Sequence, residues 1–141
     1  MIDCLIMGDS IAVGTAHTKE LQSCYSYAKG GINTWQFNKM YVDNHKNDFG
    51  AEVVILSLGT NDHKGVKTLK ELEITRAKIK AQRVYWIMPP CNDGFCKPDV
   101  NEAVKTVAAK YGDFIIGTKR VQADNIHPSW AGYKEIAEQV K

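Results

Sequence analysis

The feature of this sequence that most constrains its fold is a regular alternation of short apolar runs with segments of helical periodicity. Apolar runs cover residues 2–7, 24–28, 53–58, 84–88 and 114–116. This alternation is typical of a parallel sheet whose strands are covered on both faces by crossover helices. We therefore expect an α/β fold, a three-layer α/β/α sandwich with a flavodoxin-like five-stranded parallel sheet in the order 2-1-3-4-5.

The segments between the apolar runs are predicted to be helices. The helical patterns cover residues 11–21, 34–45, 66–82 and 100–111, and a last helix starts near Ser129 and runs to the end of the chain. Asp99 is the expected N-cap of the fourth helix. A chain of 141 residues, 44% hydrophobic and 24% charged, has the size of one globular domain, so we expect residues 1–141 to form a single domain.

The charge balance disfavours two classes of partner. The chain has 18 basic and 16 acidic residues, a net charge of +2, and no cluster of Lys and Arg. We therefore expect neither a nucleic-acid binder nor a membrane-surface binder. The apolar runs are too short for membrane insertion. Residues 2–7 have no basic segment before them and no small-residue cleavage site after them, which predicts a first strand instead of a signal peptide and a cytoplasmic protein by default.

The four cysteines are predicted to be reduced. Cys4 and Cys24 lie in strand-like runs, where a buried free thiol is common. Cys91 and Cys96 flank a turn-rich loop, where they can form a small disulfide or stay reduced; because no secretion signal is seen, we favour the reduced form. No second pair of Cys or His residues accompanies them, so no metal site is expected.

Polar residues follow three of the predicted strands directly. The motif Gly8-Asp9-Ser10-Ile11 follows the first strand, Gly30-Gly31 follows the second, and Gly59-Thr60-Asn61-Asp62 follows the third. Because parallel strands end at one edge of the sheet, these residues are expected to lie close together. Ser10 could be a nucleophile or a helix N-cap, and this stretch alone favours the cap.

A further motif near the C-terminus contains an acid and a histidine three residues apart. In Asp124-Asn125-Ile126-His127-Pro128, the carboxylate can hold Nδ1 of the ring and leave Nε2 free as a base. Alone, this motif favours a helix-capping loop. Together with the three strand-end motifs it indicates a catalytic site.

The four motifs, in this order, resemble those of the GDSL family of esterases and lipases, also called the SGNH hydrolase superfamily. The resemblance extends from Gly8 to Tyr133, and Ile11 stands where the family usually has leucine. It implies the SGNH hydrolase fold and ester hydrolysis without metal or cofactor. It also implies that Ser10 is the nucleophile, His127 the base and Asp124 the acid that orients the histidine.

The resemblance implies an oxyanion hole as well. Its donors would be the N–H of Ser10, the N–H of Gly31 and the side-chain amide of Asn61, with Gly30 as the alternative to Gly31. The expected substrate is a small-molecule or glycan ester with a short acyl group, an O-acetylated carbohydrate in the first place. The alternatives are a lysophospholipase or thioesterase of the same fold, a non-catalytic binding module, and a flavodoxin-like electron carrier. The carrier is disfavoured because the first loop lacks a hydroxyl-rich phosphate-binding pattern.

Other polar residues near these motifs are predicted to have structural roles or to be solvated. Asp9 and Asp62 are expected to brace loops by accepting backbone hydrogen bonds. His63 follows the third motif and is expected to be solvated more readily than to touch substrate. His17 and His45 are expected on helix surfaces. The three tryptophans are expected in the core or in a pocket wall instead of a sugar-stacking platform; they are Trp35, Trp86 and Trp130.

Overall fold

The computed structural model describes residues 2–140, which contain a five-stranded parallel sheet in the order β2-β1-β3-β4-β5. Its strands are Ile2–Gly8 (β1), Tyr25–Ala28 (β2), Gly50–Ser57 (β3), Lys80–Ile87 (β4) and Phe114–Ile116 (β5). The predicted strand order is therefore confirmed.

Alternate residues of the central strands face opposite sides of the sheet and fill two hydrophobic cores. Leu5 of β1 lies in one core and Ile6 in the other. In the β1–β3 ladder Leu5 is opposite Val54, and Ile6 is opposite Ile55. The central strands are apolar on both faces for this reason, as a sheet covered on both sides requires.

Among the described residues, five α-helices cover the two faces of the sheet. They are Ser10–Ala16 (α1), Thr34–Phe37 (α2), Thr68–Ala77 (α3), Pro98–Tyr111 (α4) and Trp130–Gln139 (α5), and α2 continues as a π-helical turn over Asn38–Val42. Phe37, Leu72 and Val104 bring α2, α3 and α4 into one core. Ile11 and Ile136 bring α1 and α5 into the other. The α/β/α sandwich is confirmed.

Helix α1 is shorter than predicted. It ends at Ala16 instead of residue 21, because the chain then passes into tight turns. In these turns the N–H of Thr18 donates to the carbonyl of Thr15, and the N–H of Leu21 donates to that of Thr18. Bonds that span only three residues tighten the backbone and do not continue an α-helix.

Helix α3 is also shorter than predicted, because β4 begins earlier. Residues 66–82 were expected to be one helix, but α3 ends at Ala77. The N–H of Lys80 then donates to the carbonyl of Phe49, 3.2 Å away, and β4 pairs with β3 from this point. Pairing with a buried strand outweighs the local helical pattern.

Two helix ends differ in how well they were predicted. Ser129 is the N-cap of α5, and its hydroxyl accepts the N–H of Gly132 at 3.1 Å, although α5 ends at Gln139 and not at the chain end. The prediction that Asp99 caps α4 is wrong. Lys97 occupies the cap position and Asp99 lies in the first turn, where its charge is still favourable for the helix dipole.

The expectation of reduced cysteines is wrong. Disulfides join Cys4 to Cys24 and Cys91 to Cys96, with Sγ–Sγ distances of 2.06 and 2.01 Å. The first follows from the strand register, because Leu5 is opposite Tyr25 and the preceding residues are then neighbours. Two disulfides are typical of proteins from oxidising compartments.

The tryptophans divide between the core and the surface. Trp86 is fully buried, and its Nε1–H donates to Asp113 at 2.9 Å. Trp35 and Trp130 are not core residues, because 49% and 80% of their surfaces are exposed. Within residues 2–140, no helix has the length and apolar character needed to cross a membrane.

Candidate active site

Ser10 lies at the carboxyl end of β1, where the chain turns sharply into α1. Gly8 has a φ of +141°, and a Cβ on it would lie 1.9 Å from the carbonyl oxygen of Ser57, so only glycine allows β1 and β3 to approach here. The N-cap of α1 is Asp9, whose Oδ1 accepts the N–H of Ile11 at 3.0 Å. The cap is therefore not Ser10. Ser10 is the first residue of α1, and its hydroxyl does not make the capping hydrogen bond.

The Ser10 hydroxyl is hydrogen-bonded to a histidine 117 residues further along the chain. Ser10 Oγ lies 2.8 Å from His127 Nε2. On the other side of the ring, His127 Nδ1 lies 2.7 Å from Asp124 Oδ2. The carboxylate accepts the Nδ1–H, which leaves the lone pair of Nε2 directed at the serine hydroxyl.

Local hydrogen bonds hold Asp124 in the orientation that this arrangement needs. Its Oδ1 accepts the N–H of Ile126 at 2.9 Å and that of His127 at 3.0 Å, and Asn125 adopts a φ of +62° that closes the turn. The hydrogen bond from the His127 ring, followed by those two N–H groups, lowers the pKa of Asp124 to about 2. The carboxylate is therefore ionised at neutral pH.

The glycine pair after β2 lies against Ser10. The N–H of Lys29 donates to the carbonyl of Gly8 at 3.0 Å, which ties this segment to the end of β1. A Cβ on Gly30 would lie 3.8 Å from the Cβ of Ser10, and Gly31 has a φ of +76°. Gly30 is therefore next to the nucleophile candidate, and Gly31 follows it in the chain.

Asn61 lies at the end of β3 and contacts the same segment. Its Nδ2 donates to the carbonyl oxygen of Ile32 at 2.9 Å. This bond uses one of the two amide hydrogens, orients the side chain and leaves the second hydrogen available. The structure thus brings together Ser10, His127, Asp124, the glycine pair and Asn61 at one edge of the sheet.

The two aspartates expected to brace loops do so. Ser57 Oγ donates to the buried carboxylate of Asp9 at 3.0 Å. The buried carboxylate of Asp62 accepts three hydrogen bonds, one from the N–H of Thr34 at 2.8 Å and one each from the hydroxyls of Thr34 and Thr68. These bonds tie the loops after β1 and β3 to the sheet and to the starts of α2 and α3.

The other histidines lie outside this cluster. His63 is exposed, and its Nδ1 accepts the N–H of Gly65 at 3.0 Å. It lines a cavity of about 660 Å³ next to the Asn61 loop. His17 and His45 are exposed as predicted, but neither lies within a helix, because His17 is the C-cap of α1 and His45 lies in a turn after the π-helical segment.

One side chain at the site was not singled out from the sequence. Lys97 Nζ donates to the carbonyl oxygens of Thr60 and Asp62, at 3.0 and 2.7 Å, on either side of Asn61. No pattern in the sequence marks this lysine, because the contact depends on the path of the preceding loop.

A second cavity opens beside the glycine pair. It has a volume of about 450 Å³, and Gly30, Gly31, Trp35 and Met40 are among the residues that line it. The exposed Trp35 forms part of this wall. A group bound here would be close to Ser10.

Solved structures share this architecture over almost the full chain. A member of the lipolytic protein G-D-S-L family from Veillonella parvula is similar with a TM-score of 0.63 and 18% identity, covering 98% of this chain and 95% of that one. The chain has the SGNH hydrolase fold. The resemblance noted from the sequence motifs is thereby confirmed at the level of the fold.

Two further SGNH-fold structures have names that state an activity. The catalytic domain of peptidoglycan O-acetyltransferase A from Streptococcus pneumoniae has a TM-score of 0.63 at 19% identity, covering 97% of this chain and 89% of that one. An acetylxylan esterase from Geobacillus stearothermophilus has a TM-score of 0.64 at 14% identity, covering 97% and 91%. No family model and no curated protein matches this sequence.

Proposed function

We propose that this SGNH-fold protein is a serine esterase in which Ser10, His127 and Asp124 act as a catalytic triad. The observation that carries the proposal is the continuous line of hydrogen bonds from Ser10 Oγ through the His127 ring to Asp124, with distances of 2.8 and 2.7 Å. These distances are within the range that proton transfer requires. An N-cap or a structural histidine needs no such chain of partners.

In the first half of the reaction, Ser10 is acylated. Its Oγ attacks the ester carbonyl carbon, and the hydroxyl proton passes to His127 Nε2. Asp124 stabilises the imidazolium that forms and keeps the ring in the productive tautomer. When the tetrahedral intermediate collapses, its bond to the alcohol oxygen breaks and His127 returns the proton to the leaving alcohol.

The second half of the reaction releases the acid. His127 takes a proton from water, the resulting nucleophile attacks the acyl carbon, and the bond to Ser10 Oγ breaks. The proton held on Nε2 then restores the Ser10 hydroxyl. Every proton is transferred between groups of the chain, substrate and water.

Three donors are assigned to the oxyanion of both tetrahedral intermediates. They are the N–H of Ser10, the N–H of Gly31, with Gly30 as alternative, and the second amide hydrogen of Asn61. Donors that are fixed before the reaction stabilise the developing charge without reorganisation. The hydrogen bond from Asn61 to Ile32 supports this role, since it fixes the amide before substrate binds.

The proposed substrate is a short-chain ester, with an O-acetyl group on a carbohydrate as the first candidate. Two similar structures bear names that refer to acetyl groups on glycans, which supports this choice. The cavity beside Gly31 supports it too, because the exposed indole of Trp35 offers an apolar face of the kind that sugar rings stack on. A lysophospholipase or thioesterase would instead need a long apolar groove for its acyl chain.

Covalent labelling tests the nucleophile. A fluorophosphonate should add to Ser10 in the wild-type protein, detected by intact mass and peptide mapping, and should not label Ser10→Ala. The same variant should lose at least about 10⁴-fold in kcat on an acetate ester. Ser57→Ala is not a suitable control, because Ser57 donates a hydrogen bond to Asp9. The control is Ser26→Ala, since Ser26 is exposed, and this variant should be labelled like wild type. An unlabelled, inactive wild-type protein would indicate a non-catalytic binding module.

The substrate class is tested with p-nitrophenyl esters from acetate to palmitate, followed by acetylated oligosaccharides. Highest kcat/KM on acetate, and release of acetate from the glycans, would support the proposal. A preference that rises with acyl length would instead favour the lysophospholipase or thioesterase alternative.

A further inference from the structure

We propose that the loop of residues 91–97 positions the catalytic groups, that Lys97 fixes the oxyanion donor Asn61, and that the Cys91–Cys96 disulfide keeps this loop in shape. This inference rests on the serine-esterase function proposed above. Lys97 is a positioning residue, because its contacts are with the backbone on either side of Asn61 and not with the reacting atoms.

The contacts of Lys97 are unusually specific for a lysine. Its ammonium group donates to the carbonyls of Thr60 and Asp62, two residues that are neighbours of Asn61 on either side. Hydrogen bonds from a charged donor are stronger than those between neutral groups, typically by about a factor of two. Lys97 therefore holds the backbone on both sides of Asn61, while the hydrogen bond from Asn61 to Ile32 holds the side chain.

The disulfide fixes the path that delivers Lys97 to this position. Cys91 and Cys96 form an antiparallel bridge as well as the covalent bond. Between them, Asn92 Oδ1 accepts the N–H groups of Gly94 and Phe95, at 2.8 and 3.0 Å. A six-residue turn closed in these ways has few alternative conformations, and Lys97 follows it directly.

The same loop contacts the other side of the site. Asn92 Nδ2 donates to the carbonyl of Asn125 at 2.9 Å, between the two residues Asp124 and His127 of the proposed triad. Gly94 packs so closely on Asn125 that a Cβ on it would lie 2.2 Å from Asn125 Nδ2. The 91–97 loop therefore joins the segment that holds the oxyanion donor to the segment that holds the base.

The spacing between these two segments matters because the rate of catalysis is sensitive to small displacements of the catalytic groups. An error of about 1 Å in the position of a catalytic group can cost on the order of 10²-fold in rate. Neither segment is part of a strand or long helix, so the sheet alone does not fix the spacing between Asn61 and His127. We assign that function to the 91–97 loop.

The main test is Lys97→Met, which keeps the length of the side chain and removes its charge and hydrogen bonds. Lys105→Met is the matched control, since Lys105 is an exposed lysine on α4. Rates are divided by the number of sites that a fluorophosphonate titrates, so that unfolded molecules are not counted. We expect Lys97→Met to lower kcat about ten- to a hundredfold with little change in KM, and Lys105→Met to change neither.

A double-mutant cycle shows whether Lys97 acts through Asn61. Asn61→Ala alone should lower kcat by about 10²–10³. In that background, Lys97→Met should change kcat by less than about twofold, because the donor that Lys97 positions is gone. An equal loss in both backgrounds would overturn the proposal, and so would a kcat for Lys97→Met within twofold of wild type.

The disulfide is tested independently and does not depend on how well Lys97→Met folds. The double variant Cys91→Ser, Cys96→Ser should lower kcat per titrated site. The matched control is the double variant Cys4→Ser, Cys24→Ser, which removes the disulfide at the opposite end of β1. Cys4 precedes Gly8 by four residues, which corresponds to roughly 13 Å at the usual rise of a strand. The control should lose thermal stability but keep kcat per site. Equal kcat losses in the two double variants, or none in either, would contradict the positioning role of the loop.

Failure of this inference can be told apart from failure of the proposed function. If wild-type protein is labelled at Ser10 and hydrolyses esters while the Lys97 and Cys91 variants match it, the loop has no positioning role and the esterase function stands. If wild-type protein is neither labelled nor active, the proposed function is wrong and this inference is wrong with it.

Discussion

Two aspartates lie next to the proposed nucleophile and base, and their environments are opposite. Asp9 precedes Ser10 in the chain and is completely buried, and its Oδ2 has no hydrogen-bond partner among the described residues. Burial raises the pKa of Asp9 to about 6, although hydrogen bonds from Ser57 and from the N–H of Ile11 oppose the shift. Asp9 is therefore a carboxyl whose charged form is disfavoured by the fold.

Asp124 is the reverse case. Its side chain is 43% exposed, and each of its oxygens accepts at least one hydrogen bond within the turn that ends at His127. Those bonds, with that from the histidine ring first, hold its pKa at about 2. An acid that orients a histidine has to be ionised and has to face the ring, and of the two aspartates only Asp124 meets both requirements.

The difference shows that closeness to the nucleophile in the sequence does not identify the catalytic acid. Asp9 is adjacent to Ser10, yet it caps α1 and ties β1 to β3 through Ser57. Asp124 is far away in the sequence, yet its carboxylate is hydrogen-bonded to the ring of His127, the proposed base. The predictions below separate the structural acid from the proposed catalytic one.

The largest effect is expected for Asp124→Asn. An amide in this position can hold the ring in the wrong tautomer, and the corresponding change in serine proteases lowers kcat about 10⁴-fold. We expect a loss of about 10³–10⁴ in kcat on an acetate ester, measured with site titration, and little change in melting temperature because the side chain is exposed.

Asp9→Asn is the comparison for that experiment. It should lose far less kcat than Asp124→Asn, because Asp9 contacts neither the histidine ring nor the proposed oxyanion donors. If the order of the two losses were reversed, Asp9 and not Asp124 would be the acid on which catalysis depends.

The sequence predicted most of the site, for a physical reason. The alternation of apolar runs predicts where in the sequence each strand ends, and parallel strands bring their carboxyl ends to one edge of the sheet. Ser10, the glycine pair and Asn61 were expected together on that basis, and they lie together. His127 and Asp124 were placed there by their resemblance to a family motif, since nothing in the alternation fixes the path of the loop that carries them.

The features that were missed depend on register and loop path. Cys4 and Cys24 are neighbours only because Leu5 is opposite Tyr25, a register that the apolar pattern does not specify. Lys97 reaches the backbone on either side of Asn61 only because its loop crosses the end of β3. Intrinsic preferences of single residues contain no information on such contacts.

The second effect concerns stability as a function of pH. The pKa of Asp9 is higher in the folded state than its ordinary value of 3.8, so the folded protein binds this proton more tightly than the unfolded chain does. The contribution of Asp9 to stability is therefore complete below about pH 3 and is lost as pH rises from the ordinary pKa of 3.8 through the folded pKa of about 6. A shift of about two pKa units corresponds to roughly 3 kcal/mol.

Asp9→Asn removes this titration, so the comparison of the two proteins isolates it. The free energy of unfolding of wild type relative to Asp9→Asn should fall by about 3 kcal/mol between pH 3 and pH 7, measured by urea unfolding across that range. A constant difference for Asp9→Asn would show that its carboxyl is not disfavoured by burial.

The smallest effect extends the comparison from acids to two exposed tryptophans. Trp35 lines the cavity beside Gly31, whereas Trp130, although more exposed, lines a separate surface with residues 18–20 of the turns after α1. If a sugar ring stacks on Trp35, Trp35→Ala should raise KM for an acetylated oligosaccharide about two- to tenfold, the range that aromatic contacts of about 0.5–1.5 kcal/mol give.

KM for ethyl acetate should not change, because its alcohol is too small to reach the indole, and Trp130→Ala should change neither value. A rise in KM for both substrates would mean that Trp35 supports the Gly30–Gly31 segment and does not bind sugar. A rise with Trp130→Ala alone would place the sugar-binding surface at Trp130 instead.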